Sequence, residues 1–279
     1  MAQNGKLGLI AGGGALPVTL ARHCRAVGRP IFVIRLKGFA DRELSEFEGV
    51  ELGIAQLGAA IGALRRSQCR AVCLAGIVSR PDLKSLKPDL RGLAALPGAV
   101  AAARRGDDGL LSFLISEFER EGFVAEGAHE VMSVLLLPRG PIGRCKPGHA
   151  HREDIQRALA AARAVGVLDA GQGAVVCEGL ILALEAQEGT DAMLSRVAAL
   201  PEGIRGTSRR RRGVLAKVCK PGQERRVDLP TLGPQTVLRA ADAGLAGIAA
   251  EADLTLLLER ERVCALADEL GLFIVGVDP

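Results

Sequence analysis

Residues 6–11 (KLGLIA) form a short apolar run that stops at Gly12-Gly13-Gly14, and a helical pattern begins at once over residues 16–27. This strand–turn–helix opening constrains the fold more than any other feature, because a helix that follows a buried strand carries the chain back for a parallel partner. The alternation continues. Ile31–Leu36 (IFVIRL) reads as a strand, 59–67 as a helix and Ala71–Ala75 (AVCLA) as a strand. A helix is expected over 109–121, with Leu110, Leu111, Leu114 and Phe118 on one face. Strand-like pieces follow at 123–124 and 134–137. Successive strand–helix pairs predict an open, mostly parallel, Rossmann-like sheet.

Prolines and glycines then break every pattern in LPRGPIGRCKPGHAHRED, residues 137–154. This reads as a linker over 138–153, dividing a first α/β domain (1–137) from a second (154–279). The second half opens with a helix over 154–165 and continues with strands at 174–176 and 180–184. A helix follows over 191–200 with Thr190 as its expected N-cap, then a strand over 213–220, a helix over 236–250 and further α/β pattern to 277.

Composition narrows the function. The chain is 48% hydrophobic but only 3% aromatic, without Trp or Tyr, so its core is built from Ala, Leu, Val and Ile. That leaves few platforms for stacking single-stranded nucleic acid. A net charge of +4 suits anionic ligands or a membrane surface without selecting one. The seven cysteines are odd in number and make no CxxC pair, as expected of reduced thiols in the cytoplasm. No signal peptide and no run of about 20 apolar residues is visible, so any lipid would be met from the membrane surface.

The glycine turn lets backbone N–H groups approach a phosphate at a helix N-terminus. As a dinucleotide fingerprint it is poor, with Pro17 where a third glycine belongs and Arg35 and Lys37 where an acid would bind a ribose. It points to phosphate or nucleotide, the alternative being a purely structural turn. Arg80 follows the strand at 71–75 and is a candidate phosphate contact or a surface arginine. Asp107-Asp108 reads as a cap for the helix that follows, ahead of metal binding as the alternative. The spacing of His129, His149 and His151 does not suit zinc. Arg209–Arg212, the densest positive patch, reads as a solvated loop or as a site for anionic headgroups or a phosphate-bearing substrate.

The most chemically loaded stretch lies later. Glu185, Glu188 and Asp191 form an acidic cluster, and residues 217–236 (KVCKPGQERRVDLPTLGPQT) form a mixed-charge loop after an apolar run. Carboxylates can hold Mg²⁺, and lysines and arginines can neutralise phosphate oxygens, so together they point to phosphoryl chemistry.

Five stretches in order resemble the signature of the LpxI-type UDP-2,3-diacylglucosamine pyrophosphatases of bacterial lipid A biosynthesis. They are LIAGGGALP (9–17), GIVSRPDLKSLKPD (76–89), GDDGLL (106–111), LALEAQEGTDAMLSR (182–196) and KPGQERRVDLPTLGPQT (220–236). The resemblance runs from about Leu7 to the C-terminus and departs at Glu224, where the family usually has Asp.

The resemblance implies a Mg²⁺-dependent hydrolase. Water attacks the α-phosphorus of UDP-2,3-diacylglucosamine and releases UMP and 2,3-diacylglucosamine 1-phosphate (lipid X). It implies a nucleotide-binding first domain and an acyl-sugar-binding second domain, in a cytoplasmic protein working at the inner-membrane surface, with a homodimer as one possible assembly. On this reading Gly12, Gly13, Gly14, Ala15, Leu16 and Arg80 cradle the UDP. Asp228 is the essential carboxylate, as Mg²⁺ ligand or base, or else a brace for the DLPT turn. Asp191 and Glu188 share the metal. Lys217, Lys220 and Gln223 contact the diphosphate, and Thr190 binds sugar or phosphate unless it only caps its helix. The competing readings are a nicotinamide-dependent oxidoreductase, a non-catalytic nucleotide- or lipid-binding regulator and, on Arg209–Arg212 alone, a nucleic-acid binder.

Overall fold

The computed structural model describes residues 5–78, 86–104 and 106–279. Contacts divide the chain into two units, one reaching Ser133 and including Glu224–Asp228, the other formed by Val134–Gln223 and Leu229–Pro279.

In the first unit the elements are β1 (Leu7–Ala11), α1 (Ala15–Ala26), β2 (Ile31–Leu36), β3 (Gly49–Leu52), α2 (Leu57–Arg66) and β4 (Ala71–Ala75). They continue with α3 (Leu90–Ala103), α4 (Asp107–Arg120), β5 (Val124–Ala125) and the short α5 (Ala128–Val131). The strands lie in the order β3-β2-β1-β4-β5, and every neighbouring pair is parallel. This bears out the Rossmann-like expectation. All five residues of β1 are buried, as a central parallel strand covered on both faces requires. Side chains alternate across the sheet: Ile10, Phe32, Ile34 and Val72 join a core completed by Ile61 and Leu64 of α2 and Ile115 and Phe118 of α4. The buried stripe of α4 therefore centres on Ile115 and Phe118, whereas Leu110, Leu111 and Leu114 are only half-buried.

The second unit contains β6 (Gly140–Ile142), α6 (Arg152–Val167), β7 (Gly173–Cys177), β8 (Leu180–Leu184), α7 (Gly189–Ala198) and β9 (Val214–Lys217). Then come β10 (Thr231–Leu232), α8 (Pro234–Asp242), β11 (Gly247–Glu251), β12 (Leu256–Leu257), α9 (Arg260–Leu270) and β13 (Phe273–Val277). Its six-stranded sheet has the order β6-β13-β11-β9-β7-β8. The central β9, β11 and β13 are parallel, while β6 runs antiparallel to β13, β7 to β9 and β8 to β7. Val175, Leu215 and Ile248 face α7, α8 and α9, whereas Ala174, Val176 and Ala216 face Ala158, Leu159 and Ala162 of α6.

The expected linker 138–153 is part of this second unit. Gly140–Ile142 pairs with the last strand, and the Arg144 backbone N–H donates to Asp268 Oδ1 at 2.6 Å. A proline on an edge strand costs no ladder bond, which is how Pro141 fits there. Residues 134–137, expected as a strand, begin in a 3-10 turn, Ser133–Leu135, and Leu136 bridges to Leu256.

Candidate functional site

In the first unit the carboxyl ends of β1 and β4 meet, the crevice position where open α/β sheets take ligands. The Gly12 N–H donates to the Ala75 carbonyl at 2.9 Å, and Gly13 and Ile77 exchange both backbone bonds at 2.9 and 2.8 Å. A Cβ on Gly12 would lie 2.7 Å from the Ile77 oxygen, and Gly76 has φ +97°, so these glycines let the two strand ends close on each other. The Gly14 N–H donates to Asp41 Oδ2 at 2.8 Å, placing a carboxylate at the positive end of α1. The N–H groups of Gly12, Gly13 and Gly14, expected to reach a phosphate, are thus already bonded within the chain. Ala15, exposed, and Leu16, half-buried, open the first turn of α1. Arg80 lies outside the described residues.

The first unit also holds the segment that carries Asp228. Its backbone N–H donates to the Glu224 carbonyl at 3.1 Å, closing one irregular turn. Asp108, expected to cap α4, instead accepts the Glu224 N–H at 2.7 Å, and the N-cap of α4 is Gly106. Arg226 binds both Glu224 oxygens and Glu119 Oε1. Through these contacts Glu224 keeps its carboxyl below the usual range, first by the Arg226 side-chain hydrogen bonds.

In the second unit polar side chains gather at the carboxyl ends of the parallel strands. Lys217 ends β9, is 5% exposed and donates from Nζ to the Thr231 carbonyl at 3.1 Å. Glu251 ends β11 and is buried. Its Oε1 accepts from Arg163 Nε and Nη2 at 3.1 and 2.8 Å, and its Oε2 accepts the Cys219 N–H at 2.8 Å. Gln223 is buried too, its Oε1 accepting the Lys220 N–H at 2.9 Å, so its amide oxygen braces the 220–223 turn. Lys220 Nζ pairs with Asp169 Oδ1 at 2.7 Å.

The acidic cluster separates into different environments. Glu185 follows β8 and is buried. Its Oε1 accepts the Thr190 hydroxyl at 3.1 Å, and its Oε2 lies buried without a hydrogen-bond partner among the described residues. Thr190 is therefore inside α7 and bonded to Glu185; it is not the N-cap, a position held by Glu188. Glu188 is exposed and paired with Arg196; its own backbone N–H and then Arg196 hold its carboxyl below the usual range. Asp191 stands exposed in the first turn of α7, where a negative charge favours the helix.

Comparison with known proteins decides the family. The LpxI N-terminal domain model matches residues 6–135, and the LpxI C-terminal domain model matches residues 138–275. The UDP-2,3-diacylglucosamine pyrophosphatase LpxI of Caulobacter vibrioides is 60% identical over 274 residues, covering 98% of each chain. This chain belongs to the LpxI family.

The candidate metal ligands of this LpxI chain fall in both units. Glu188 and Asp191 open α7 in the second unit, Asp228 belongs to the first, and no group of three or more His, Cys, Asp or Glu that could hold a metal occurs among the described residues. The donor chemistry still fits Mg²⁺, a hard cation usually held by one or two carboxylates together with waters and substrate phosphates.

Arg209–Arg212 is only half a solvated patch. Arg211 Nη1 donates to the Ala241 carbonyl at 3.0 Å, at the C-terminal end of α8, and Arg212 binds Glu178 and the Glu202 and Arg205 carbonyls. Arg209 and Arg210 remain exposed. Sequence reasoning left out Asp41, Glu251, Arg163 and Asp169. Glu251 carried the best signal, a lone acid ending the apolar run GIAAE.

Proposed function

We propose that this chain hydrolyses the diphosphate of UDP-2,3-diacylglucosamine, yielding UMP and 2,3-diacylglucosamine 1-phosphate. The observation that carries the reading is the 60% identity, across 98% of both chains, to a protein named for that pyrophosphatase activity. The polar groups at strand carboxyl ends in each unit support it.

In this reading the uridine half binds at the β1/β4 crevice, with Ala15, Leu16 and Arg80 nearest the phosphates and the glycines shaping the turn. Asp41 already supplies a carboxylate to the Gly14 N–H, which disfavours a phosphate directly on that amide. Asp228 takes the proton of the attacking water as its oxygen bonds to phosphorus and the bridging P–O bond breaks. Lys217 and Lys220 place positive charge where negative charge grows on the phosphoryl oxygens, and Gln223 holds the 220–223 turn in shape. Thr190, whose hydroxyl donates to Glu185, offers its oxygen as acceptor to a sugar hydroxyl. Asp228 of the first unit, or Glu188 and Asp191 of the second, would supply the carboxylate oxygens for Mg²⁺, which when bound neutralises diphosphate charge and polarises a phosphoryl oxygen. Among the described residues no helix is long and apolar enough to cross a membrane.

Product analysis tests the reading. Purified protein is incubated with UDP-2,3-diacylglucosamine in H₂¹⁸O, with Mg²⁺ and with EDTA. UMP and lipid X in equal amounts are expected with Mg²⁺, and loss of turnover with EDTA. Label in UMP reports attack at the α-phosphorus, as the family resemblance implies; label in the lipid phosphate moves the attack to the β-phosphorus within the same enzyme class. Tight binding without turnover would replace the hydrolase with a binding regulator.

A further inference from the structure

The five residues Glu224–Asp228 form neither helix nor strand, yet they fold as part of the first unit although the residues on either side belong to the second. Something other than regular structure must fix them there. We propose that Arg226 is a positioning residue for Asp228, clamping this segment to α4 through Glu119 so that the Asp228 carboxylate is held for the reaction. The inference rests on the role proposed above for Asp228.

The contacts tie the segment to both ends of one helix. At the start of α4, Asp108 Oδ1 accepts the Glu224 N–H at 2.7 Å. At its end, Glu119 Oε1 accepts from Arg226 Nη1 at 2.6 Å. Within the segment, Arg226 Nε and Nη2 meet the two Glu224 oxygens at 2.9 and 2.8 Å, the planar fork-on-carboxylate geometry that arginine provides and lysine cannot. Val227 packs against the first unit's core. The Val227 and Asp228 N–H groups both donate to the Glu224 carbonyl, at 3.0 and 3.1 Å. The backbone also presses close at Gly127, where a Cβ would lie 2.9 Å from Arg226 Cα.

A lone exposed ion pair would do little here, since ordering two long side chains cancels most of its gain. The Arg226 guanidinium is already ordered by Glu224, so Glu119 binds a group with little freedom left to lose. Hydrogen bonds donated to Glu224 and then to Glu119 raise the Arg226 pKa, as expected of a cation held by two carboxylates. The clamp also gives the GDDGLL motif a purpose that helix capping does not.

The test measures kcat and KM for UDP-2,3-diacylglucosamine in Glu119→Ala, Arg226→Lys, Arg226→Ala and the Glu119→Ala/Arg226→Ala double variant, beside Asp228→Asn. Amide hydrogen exchange of the peptide spanning 224–228 is followed in each. Glu119→Ala and Arg226→Lys are expected to lower kcat about 10- to 100-fold, the scale of a small misplacement of a reacting group. KM should stay within about twofold, because only the transition state is affected. The double variant should be no worse than Arg226→Ala alone, and exchange at Val227 and Asp228 should speed up. Normal kcat in Glu119→Ala and Arg226→Lys, with Asp228→Asn inactive, overturns the clamp while leaving the proposed reaction standing. Multiplying losses in the double variant, or losses that track a fall in melting temperature, overturn it as well. An active Asp228→Asn refutes the assignment of Asp228 and the positioning role with it.

Discussion

Asp228→Ala and Asp228→Asn are both expected to cut kcat by about 10²–10⁴-fold, the usual worth of a positioned acid or base, while thermal unfolding stays close to that of the unchanged protein. The comparison of the two variants separates the two roles open to this side chain. A brace for the DLPT turn needs only a short polar side chain that can bond to nearby backbone, and asparagine supplies that as well as aspartate. Proton transfer or Mg²⁺ binding needs the carboxylate, which asparagine lacks. The turn has other support: the Asp228 N–H is bonded to the Glu224 carbonyl whatever the side chain, and the Thr231 hydroxyl donates to the Leu229 carbonyl at 3.2 Å. Both variants should therefore fold. Steady-state kinetics beside calorimetric melts check this. Asparagine near wild-type activity with alanine destabilised would make Asp228 a turn brace and move the chemistry elsewhere.

The sequence was informative where one strand or helix decides its own structure. β1, β2 and β4 are apolar runs closed by turn residues, and their order follows from parallel pairing through crossover helices. α3 escaped notice because Leu90–Ala103 is apolar on most sides and contains Pro97, so no 3.6-residue stripe stands out; its Leu90 and Leu93 are indeed exposed. β6 escaped because PRGPIG carries the composition of a loop, and only pairing with a strand more than 130 residues later makes it β. The site divides in the same way. That lysines and carboxylates cluster at 185–191 and 217–228 was plain from residue type. That Asp108 would bind Glu224 across 116 residues, or Glu119 bind Arg226 across 107, is a tertiary fact with no local trace. The glycine turn shows the opposite limit. Its composition suits a phosphate cradle, but a backbone N–H has one bond to give, and Ala75, Ile77 and Asp41 already take those of Gly12, Gly13 and Gly14.

The largest stability effect is expected at Glu126→Ala. Arg29 and Glu126 form a fork-on-carboxylate pair at 2.8 and 2.9 Å inside the first unit, with side chains 9% and 7% exposed. Burial alone would lower the Arg29 pKa, but the hydrogen bonds and charge of Glu126 outweigh it and raise the value. Removing Glu126 leaves a guanidinium that cannot shed its proton and cannot reach water, a situation that typically costs about 3–5 kcal/mol. Among the described residues the Arg29 side chain then keeps only the Gly5 carbonyl, at 3.3 Å from Nε. The pair itself need not be strongly stabilising, since desolvating both charges offsets much of their attraction. The double variant Arg29→Met/Glu126→Leu, which buries no charge, should therefore recover most of what Glu126→Ala loses. Urea unfolding of the single and double variants reads this directly, and where the two units melt separately the change should be confined to the transition of the unit that holds the pair. A double variant as unstable as Glu126→Ala would mean that the loss comes from packing at this site and not from a stranded charge.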